Sequence, residues 1–405
     1  MEATTSAPGK IMWIGGYAVL ERPNLSYNTG VDKRVWARCN EAQKIAFDMP
    51  QFGIKLEARF DGSKIIFDRE PTDAEKPVEF VKGVAETCLI YLKAKSKQTK
   101  SFELATVSDP AFGFGKAKSG LGSSAAVTAA ATGAIMALHG YDVEKDRHLI
   151  HKLAQYIHST VQGKVGSGFD IATACFGGCA YSRYSPSFVQ EKGVVESVDA
   201  NWDYVAQHVP VPRGFETAVA NIVGESTSTR EMVAKYSEYK KAKPEESKAF
   251  IAEVNKANTH AIDAIKKLNE FAKKDAAGYD EALKTLAHPA FEEFVAAFNE
   301  ARAKTKELGE RMGAPNVESD VATDFLNESD KNGAIVSRLP GSGGGDSVAA
   351  WCNSKEDKAR LEKFWRGYSE IKVELLPLSI SSEGLRLEAT QAFQDFYDRH
   401  GKRQA

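Results

Sequence analysis

The sequence predicts a soluble protein of mixed strands and helices, large enough for two domains. Length is the first observation: 405 residues suffice for two full cores. The second is that strand-like and helix-like segments alternate through the first half. The third is a long helical run in the second half, residues 229–312, rich in Lys, Glu and Ala with few turn signals.

Each element follows from its residues. Residues 35–40 and 65–68 read as short strands by their β-branched and aromatic content. Residues 78–95 carry apolar side chains at helical spacing. A second helix, 123–139, is opened by Ser123 and closed by Gly140, and a third covers 146–161. The second half opens on a strand candidate at 215–223. The helical run behind it is expected to break near Pro244, Gly278 and Pro289, with its Lys and Glu residues on solvated faces. Residues 333–338 read as a strand entering a glycine-rich turn, and 347–352 as helix or strand. A boundary between 185 and 215 divides the chain into 1–212 and 213–405.

Composition narrows the function. Apolar residues make up 42% and charged residues 27%, as in globular proteins. A net charge of -2 argues against a nucleic-acid partner held by bulk positive charge. The longest apolar stretch, 125–138, is too short to cross a membrane. No basic segment followed by an apolar core opens the chain, so no signal peptide is expected. Five scattered cysteines are not a disulfide framework. Cys175 and Cys179 lack the neighbours that would complete a zinc site, and read as small core residues. A cytoplasmic monomer or homodimer is expected.

Chemistry concentrates in three stretches. The first is 116–126, KAKSGLGSSAA. Gly120 and Gly122 let the backbone approach a phosphate, and Ser123 and Ser124 open a helix whose unpaired N–H groups suit an anion. Lys116 and Lys118 add positive charge. This is neither a Walker A loop nor a dinucleotide fingerprint, and alone it could be ordinary helix capping. The second stretch is APGKI at 7–11 with GGYAVL at 15–20, where Lys10 could set an ammonium beside a reacting hydroxyl. The third, LPGSGGGD at 339–346, is a flexible turn that could equally be a hairpin loop.

In order and spacing, the three stretches together resemble the motifs of the GHMP kinases. Within that family, GKIMWIGGYAVLE at 9–21, QGKVGSGFDIA at 162–172, GESTSTREMV at 224–233 and the final glycines running into Asp346 look like the phosphomevalonate kinases. The resemblance implies an α+β fold, with an N-terminal domain of the ribosomal S5 domain 2-like type, a ferredoxin-like C-terminal domain and the site between them. It implies ATP-dependent phosphorylation of 5-phosphomevalonate to 5-diphosphomevalonate in isoprenoid biosynthesis; the alternative acceptors are mevalonate or another phosphomevalonate isomer. ATP and Mg²⁺ are the implied cofactors.

By the same resemblance, Lys10 and Asp170 are catalytic, although Asp170 could instead cap a helix. Lys116, Ser119, Gly120, Leu121, Gly122, Ser123, Ser124 and Ala125 would bind ATP, with Ser123 or Ser124 on the metal. Lys118, Tyr17, Ser167, Gly168, Lys164, Arg183, Gly343 and Gly344 would meet the acceptor. Lys118 could instead bind ATP phosphates, and Arg183 could be a surface residue on a strand. The sequence departs from the pattern at Gly345 and Ser342 and in the order of Ser226, Thr227 and Ser228. The helix before the acidic motif carries Gln155, His158 and Ser159 but no Glu, so the metal falls to serine, phosphate and water. His158 is read as packing the helix rather than as a base.

Overall fold

The structure is a computed structural model and describes residues 1–113, 120–224 and 229–401. The expected Lys116, Lys118 and Ser119, and the hydroxyl run Ser226, Thr227 and Ser228, lie outside the described residues.

The first sheet is built from β1 (Glu2–Ile14), β2 (Ser26–Glu41), β3 (Ile45–Met49), β4 (Ile54–Phe60), β5 (Ile65–Phe67) and β6 (Phe102–Ser108). Strands β7 (Cys179–Ser182) and β8 (Val205–His208) extend it beside β2. All its pairings among these strands are antiparallel except β3 with β6. One face is covered by α1 (Pro77–Ala94), α2 (Ser123–Leu138), α3 (Arg147–Val161) and α4 (Phe169–Phe176). Helix α2 is Ala- and Thr-rich and buried on almost every side, as a helix at the centre of a core must be. Short helices α5 (Ser187–Gln190) and α6 (Val194–Asp199) follow β7.

The second sheet is antiparallel, in the order β10–β11–β9–β12, from β9 (Glu216–Val223), β10 (Val336–Arg338), β11 (Ser347–Cys352) and β12 (Lys372–Leu375). Between β9 and β10 run α7 (Thr229–Ala242), α8 (Pro244–Lys274), α9 (Ala276–Thr285), α10 (Pro289–Arg311) and α11 (Asp320–Lys331); α12 (Lys355–Gly367) follows β11. This is the strand–helix–strand–strand–helix–strand arrangement expected of a ferredoxin-like unit. Residues 347–352, left open as helix or strand, form a central strand. The helical run breaks at Asp275 and not at Gly278, because the Asp275 carboxylate accepts the Gly278 N–H at 2.8 Å and caps α9.

The two sheets share a core. Trp13 of β1 stacks on Trp351 of β11 with ring centres 4.1 Å apart, and α8 and α10 close around them. The chain then returns to the first sheet: β13 (Ile380–Ser381) pairs with β2, β14 (Arg386–Leu387) pairs with β1, and α13 (Thr390–His400) packs against β6. A single cut after 212 therefore separates the two sheets everywhere except in this last segment.

A half-buried carboxyl group on α11, bonded to Ser337 of the second sheet, gives a stability prediction. Burial raises the Asp330 carboxyl to about 6, while a hydrogen bond from Ser337 opposes the shift. A folded-state pKa above the unfolded one means stability that is full below pH 4 and is lost as pH rises through about 6. Thermal melts at pH 4.5 and 7.5 should show Asp330→Asn gaining on the parent protein at the higher pH; an unchanged difference between the two would contradict it.

Candidate active site

Strand β1 brings the first functional side chain into place. Its pairing with β2 slips between Pro8 and Lys10, an irregularity of the kind that re-aims a side chain. Lys10 faces the start of α2: its backbone N–H donates to Leu121 O at 2.9 Å and its ammonium to Gly120 O at 2.7 Å. Gly122 caps α2 at φ 78°, and a Cβ there would lie 3.2 Å from the Lys10 stem. Glycine is what lets the loop close on the lysine. Burial pushes the Lys10 ammonium below its ordinary pKa, while the charges of Asp170 and then Asp346 push it back up.

Helix α2 presents its free N–H groups beside this lysine, a natural seat for phosphate. Ser123 is exposed there and Ser124 is half-buried. Ser124 Oγ lies 3.2 Å from His158 Nε2, and the Gln162 amide lies 2.6 Å from the same nitrogen. An amide N–H donates, so the single lone pair of this ring nitrogen accepts from Gln162, with the serine hydroxyl beside it.

Asp170 is fixed by the segment before it. The carbonyl of Gly166 accepts from Arg183 at 3.0 Å, that of Ser167 from the Tyr181 hydroxyl at 3.1 Å, and that of Gly168 from Gln155 at 2.6 Å. Gly168 caps α4 at φ 80°, and a Cβ would fall 2.7 Å from the Gln155 side chain. Three successive carbonyls held by three buried side chains leave α4 one place to start. Asp170 sits in its first turn, where its carboxylate accepts the Ile171 N–H at 2.9 Å.

The turn after β10 closes the site. Gly341 N–H donates to Met12 O at 3.1 Å, and the Tyr17 hydroxyl donates to Ser342 O at 2.7 Å. Two cavities, of about 360 and 160 Å³, meet along Leu20, Ser167, Thr229 and Val233. Asp170, His158, Lys164 and Arg230 line the larger; Lys10, Tyr17 and Ser342 line the smaller. Among the described residues, neither the Lys164 ammonium nor the Arg230 guanidinium has a hydrogen-bond or ion-pair partner. Nor does any cluster of three or more His, Cys, Asp or Glu stand ready to hold a metal.

Two family models match this chain. One, the GHMP kinases N terminal domain, covers residues 79–178, and the other, the GHMP kinases C terminal, covers 281–370. The chain is a GHMP kinase. Its relatives include a phosphomevalonate kinase of Gibberella zeae, 28% identical over 96% of this chain and 97% of that one. The phosphomevalonate kinase of Saccharolobus solfataricus is 28% identical over 95% and 98%. Among solved structures, Streptococcus pneumoniae phosphomevalonate kinase in complex with phosphomevalonate and AMPPNP shares the fold. It has a TM-score of 0.69 and 16% identity, over 94% of this chain and 100% of that one.

The expected residues of this kinase that the structure describes fall into four groups. Lys10, Gly120, Leu121, Gly122, Ser123 and Ser124 meet at one helix end with Asp170 and Asp346 nearby, and Tyr17, Ser167, Gly168 and Lys164 line the cavities. Ala125 turns into the core below α2. Arg183 and two glycines stand behind the wall: Arg183 donates to Leu20 O and Gly166 O, Gly343 packs against the Val317 carbonyl, and Gly344 donates to it. The glycine turn reaches the cavity through Gly341 and Ser342 instead. His158, read as a packing residue, touches Ser124 and lines the larger cavity. Sequence reading also passed over Thr229 and Arg230, whose only signal is their place in the segment 224–233.

Proposed function

We propose that this kinase transfers the γ-phosphoryl group of ATP to 5-phosphomevalonate, giving 5-diphosphomevalonate and ADP. The carrying observation is the meeting of Lys10, the carbonyl of Gly120 and Asp170 where the phosphate-seating helix end adjoins the cavities. The acceptor follows from the near full-length similarity to phosphomevalonate kinases.

Gly120–Ser124 wrap the ATP phosphates at the N-terminus of α2. An oxygen of the acceptor's phosphate attacks the γ-phosphorus in line, and the bond to the β–γ bridging oxygen breaks. Lys10 offsets the charge gathered on the transferred group. Asp170 orients the attacking oxygen and takes its proton when the acceptor phosphate, with its second pKa near ~6, carries one. The acceptor has about three negative charges, two on phosphate and one on carboxylate, against one on mevalonate. The cationic side chains of Lys164 and Arg230 at the cavity wall match the larger charge.

Magnesium fits what is present. It prefers oxygen ligands and is usually held by one or two protein groups together with substrate phosphates. The Ser123 and Ser124 hydroxyls supply protein oxygen beside the phosphate seat, with His158 Nε2 3.2 Å from Ser124 Oγ. When bound, the ion neutralises phosphate charge. Ser124→Ala should therefore raise the KM for metal–ATP by about ten-fold or more, on the scale of a lost charge-assisted contact, and leave the acceptor KM within two-fold. A change confined to the acceptor would remove Ser124 from the nucleotide side.

Arg230→Met should raise the KM for phosphomevalonate by roughly ten-fold or more, as for loss of a hydrogen bond to a charged group, with little change in KM for ATP. An unchanged acceptor KM would take Arg230 out of recognition. The function itself is tested by ADP release from purified protein offered phosphomevalonate and mevalonate side by side. Turnover of phosphomevalonate is expected; turnover of mevalonate alone would overturn the acceptor assignment.

A further inference from the structure

Behind the third glycine segment lies a buried charge cluster with no place in the chemistry above. Arg302 of α10 grips Glu318 with Nε and Nη2, at 2.8–3.1 Å, and both side chains are less than a tenth exposed. Its remaining reach goes to Asn327 Oδ1 and Thr323 O. Arg338, the last residue of β10 before the glycine segment, is also buried, and its charge is felt by the same carboxylate. Glu318 ends the short turn Pro315–Glu318. The residue before it, Val317, supplies the carbonyl that accepts the Gly344 N–H at 3.1 Å and packs against Gly343.

Stability does not explain this arrangement. Taking two charges out of water costs about as much as their attraction returns, and well-packed apolar residues often do as well or better. Position does explain it. The glycines of the segment bring no side-chain packing of their own, so its place depends on its anchors, among them Met12 O, the Tyr17 hydroxyl, Val317 O and the Ile222 N–H, which donates to Asp346 O at 3.0 Å. The first two anchors come from the first sheet and its flank. From the second unit, Ile222 of β9 holds Asp346 at the end of the segment and Val317 O holds its middle, and the fork of Arg302 fixes the turn that carries Val317.

We propose that Glu318, clamped by Arg302, is the positioning residue of the 339–346 segment, setting Gly341 and Ser342 against Lys10 across the smaller cavity. The inference rests on reading that cavity as part of the reaction site. A shift of about 1 Å in such a wall can cost up to ~10²-fold in rate. Among the described residues, no hydrogen bond or ion pair links the proposed nucleotide seat at α2 to this cluster, so the effect should fall on the acceptor side.

The test is the double variant Arg302→Met/Glu318→Met, which removes both charges at similar volume. Its melting temperature, its kinetics at 25 °C and its backbone hydrogen exchange are compared with those of the parent protein. The expected result is a retained fold, faster exchange at 339–346, kcat/KM for the acceptor reduced about ten-fold or more, and KM for ATP within two-fold. A purely structural pair would move the melting temperature and leave the exchange of 339–346 and the acceptor kinetics as they were, and that outcome overturns the proposal. If the double variant does not fold, Glu318→Gln is read by the same measurements with the same deciding outcomes. Hydrogen exchange needs no substrate, so failure of the acceptor assignment would show in the parent protein's activity and leave this readout intact.

Discussion

Asp170→Asn should fold normally and lose roughly 10²–10⁴-fold in kcat, the range for a positioned acid or base. The change is isosteric, and the amide oxygen can still accept the Ile171 N–H, so α4 keeps its start. What disappears is the carboxylate whose charge reaches Lys10 and which, in the proposed mechanism, takes a proton from the attacking oxygen. The KM for ATP should change little, because the nucleotide seat lies on α2. A variant with kcat within about ten-fold of the parent would remove Asp170 from the chemistry.

Lys10→Met should have a comparable effect, about 10²–10³-fold in kcat, as for removal of one donor aimed at developing charge. Methionine keeps an unbranched stem to pack against Gly122 but loses the ammonium that holds Gly120 O. It also removes a cation placed near both Asp170 and Asp346. Two carboxylates facing phosphate should weaken ATP binding too, so KM for ATP is expected to rise along with the loss in kcat. The contrast with Asp170→Asn, where it does not, is the diagnostic. A Lys10→Met protein with near-normal kcat would contradict the assignment.

The readable parts of the site share a physical character. Gly120, Gly122, Ser123 and Ser124 act through the local backbone, so a short stretch of sequence carries the whole cue. Asp170 is similar, because its role depends on the start of its own helix. The unreadable parts depend on distant chain. The slip that aims Lys10 exists only as a mismatch between β1 and β2. The carbonyls before Asp170 are held by Gln155, Tyr181 and Arg183, two of them from beyond α4. Arg302 and Glu318 look like two more charges in a Lys- and Glu-rich run until the fold buries them together.

Secondary structure divides in the same way. Helices α1, α2 and α3 follow from periodicity and termini to within a residue or two. The segment 347–352 is ambiguous in isolation, because Ser-Val-Ala-Ala-Trp-Cys suits either state. Its pairing with both β9 and β10, and the stacking of Trp351 on Trp13, decide for a strand. The return of 380–400 to the first sheet has no local cue, since β13 and β14 span two residues each and exist by pairing alone.

The central claim is that the acceptor's attacking atom is a phosphate oxygen. Phosphorus NMR of the product, formed from ATP and 5-phosphomevalonate by the full chain, tests it most directly. The account predicts a new pair of mutually coupled phosphorus signals from a diphosphate ester, growing with those of ADP while the phosphomonoester signal declines. An intact phosphomonoester signal beside consumed ATP, or a second uncoupled monoester from transfer to a hydroxyl, would contradict it.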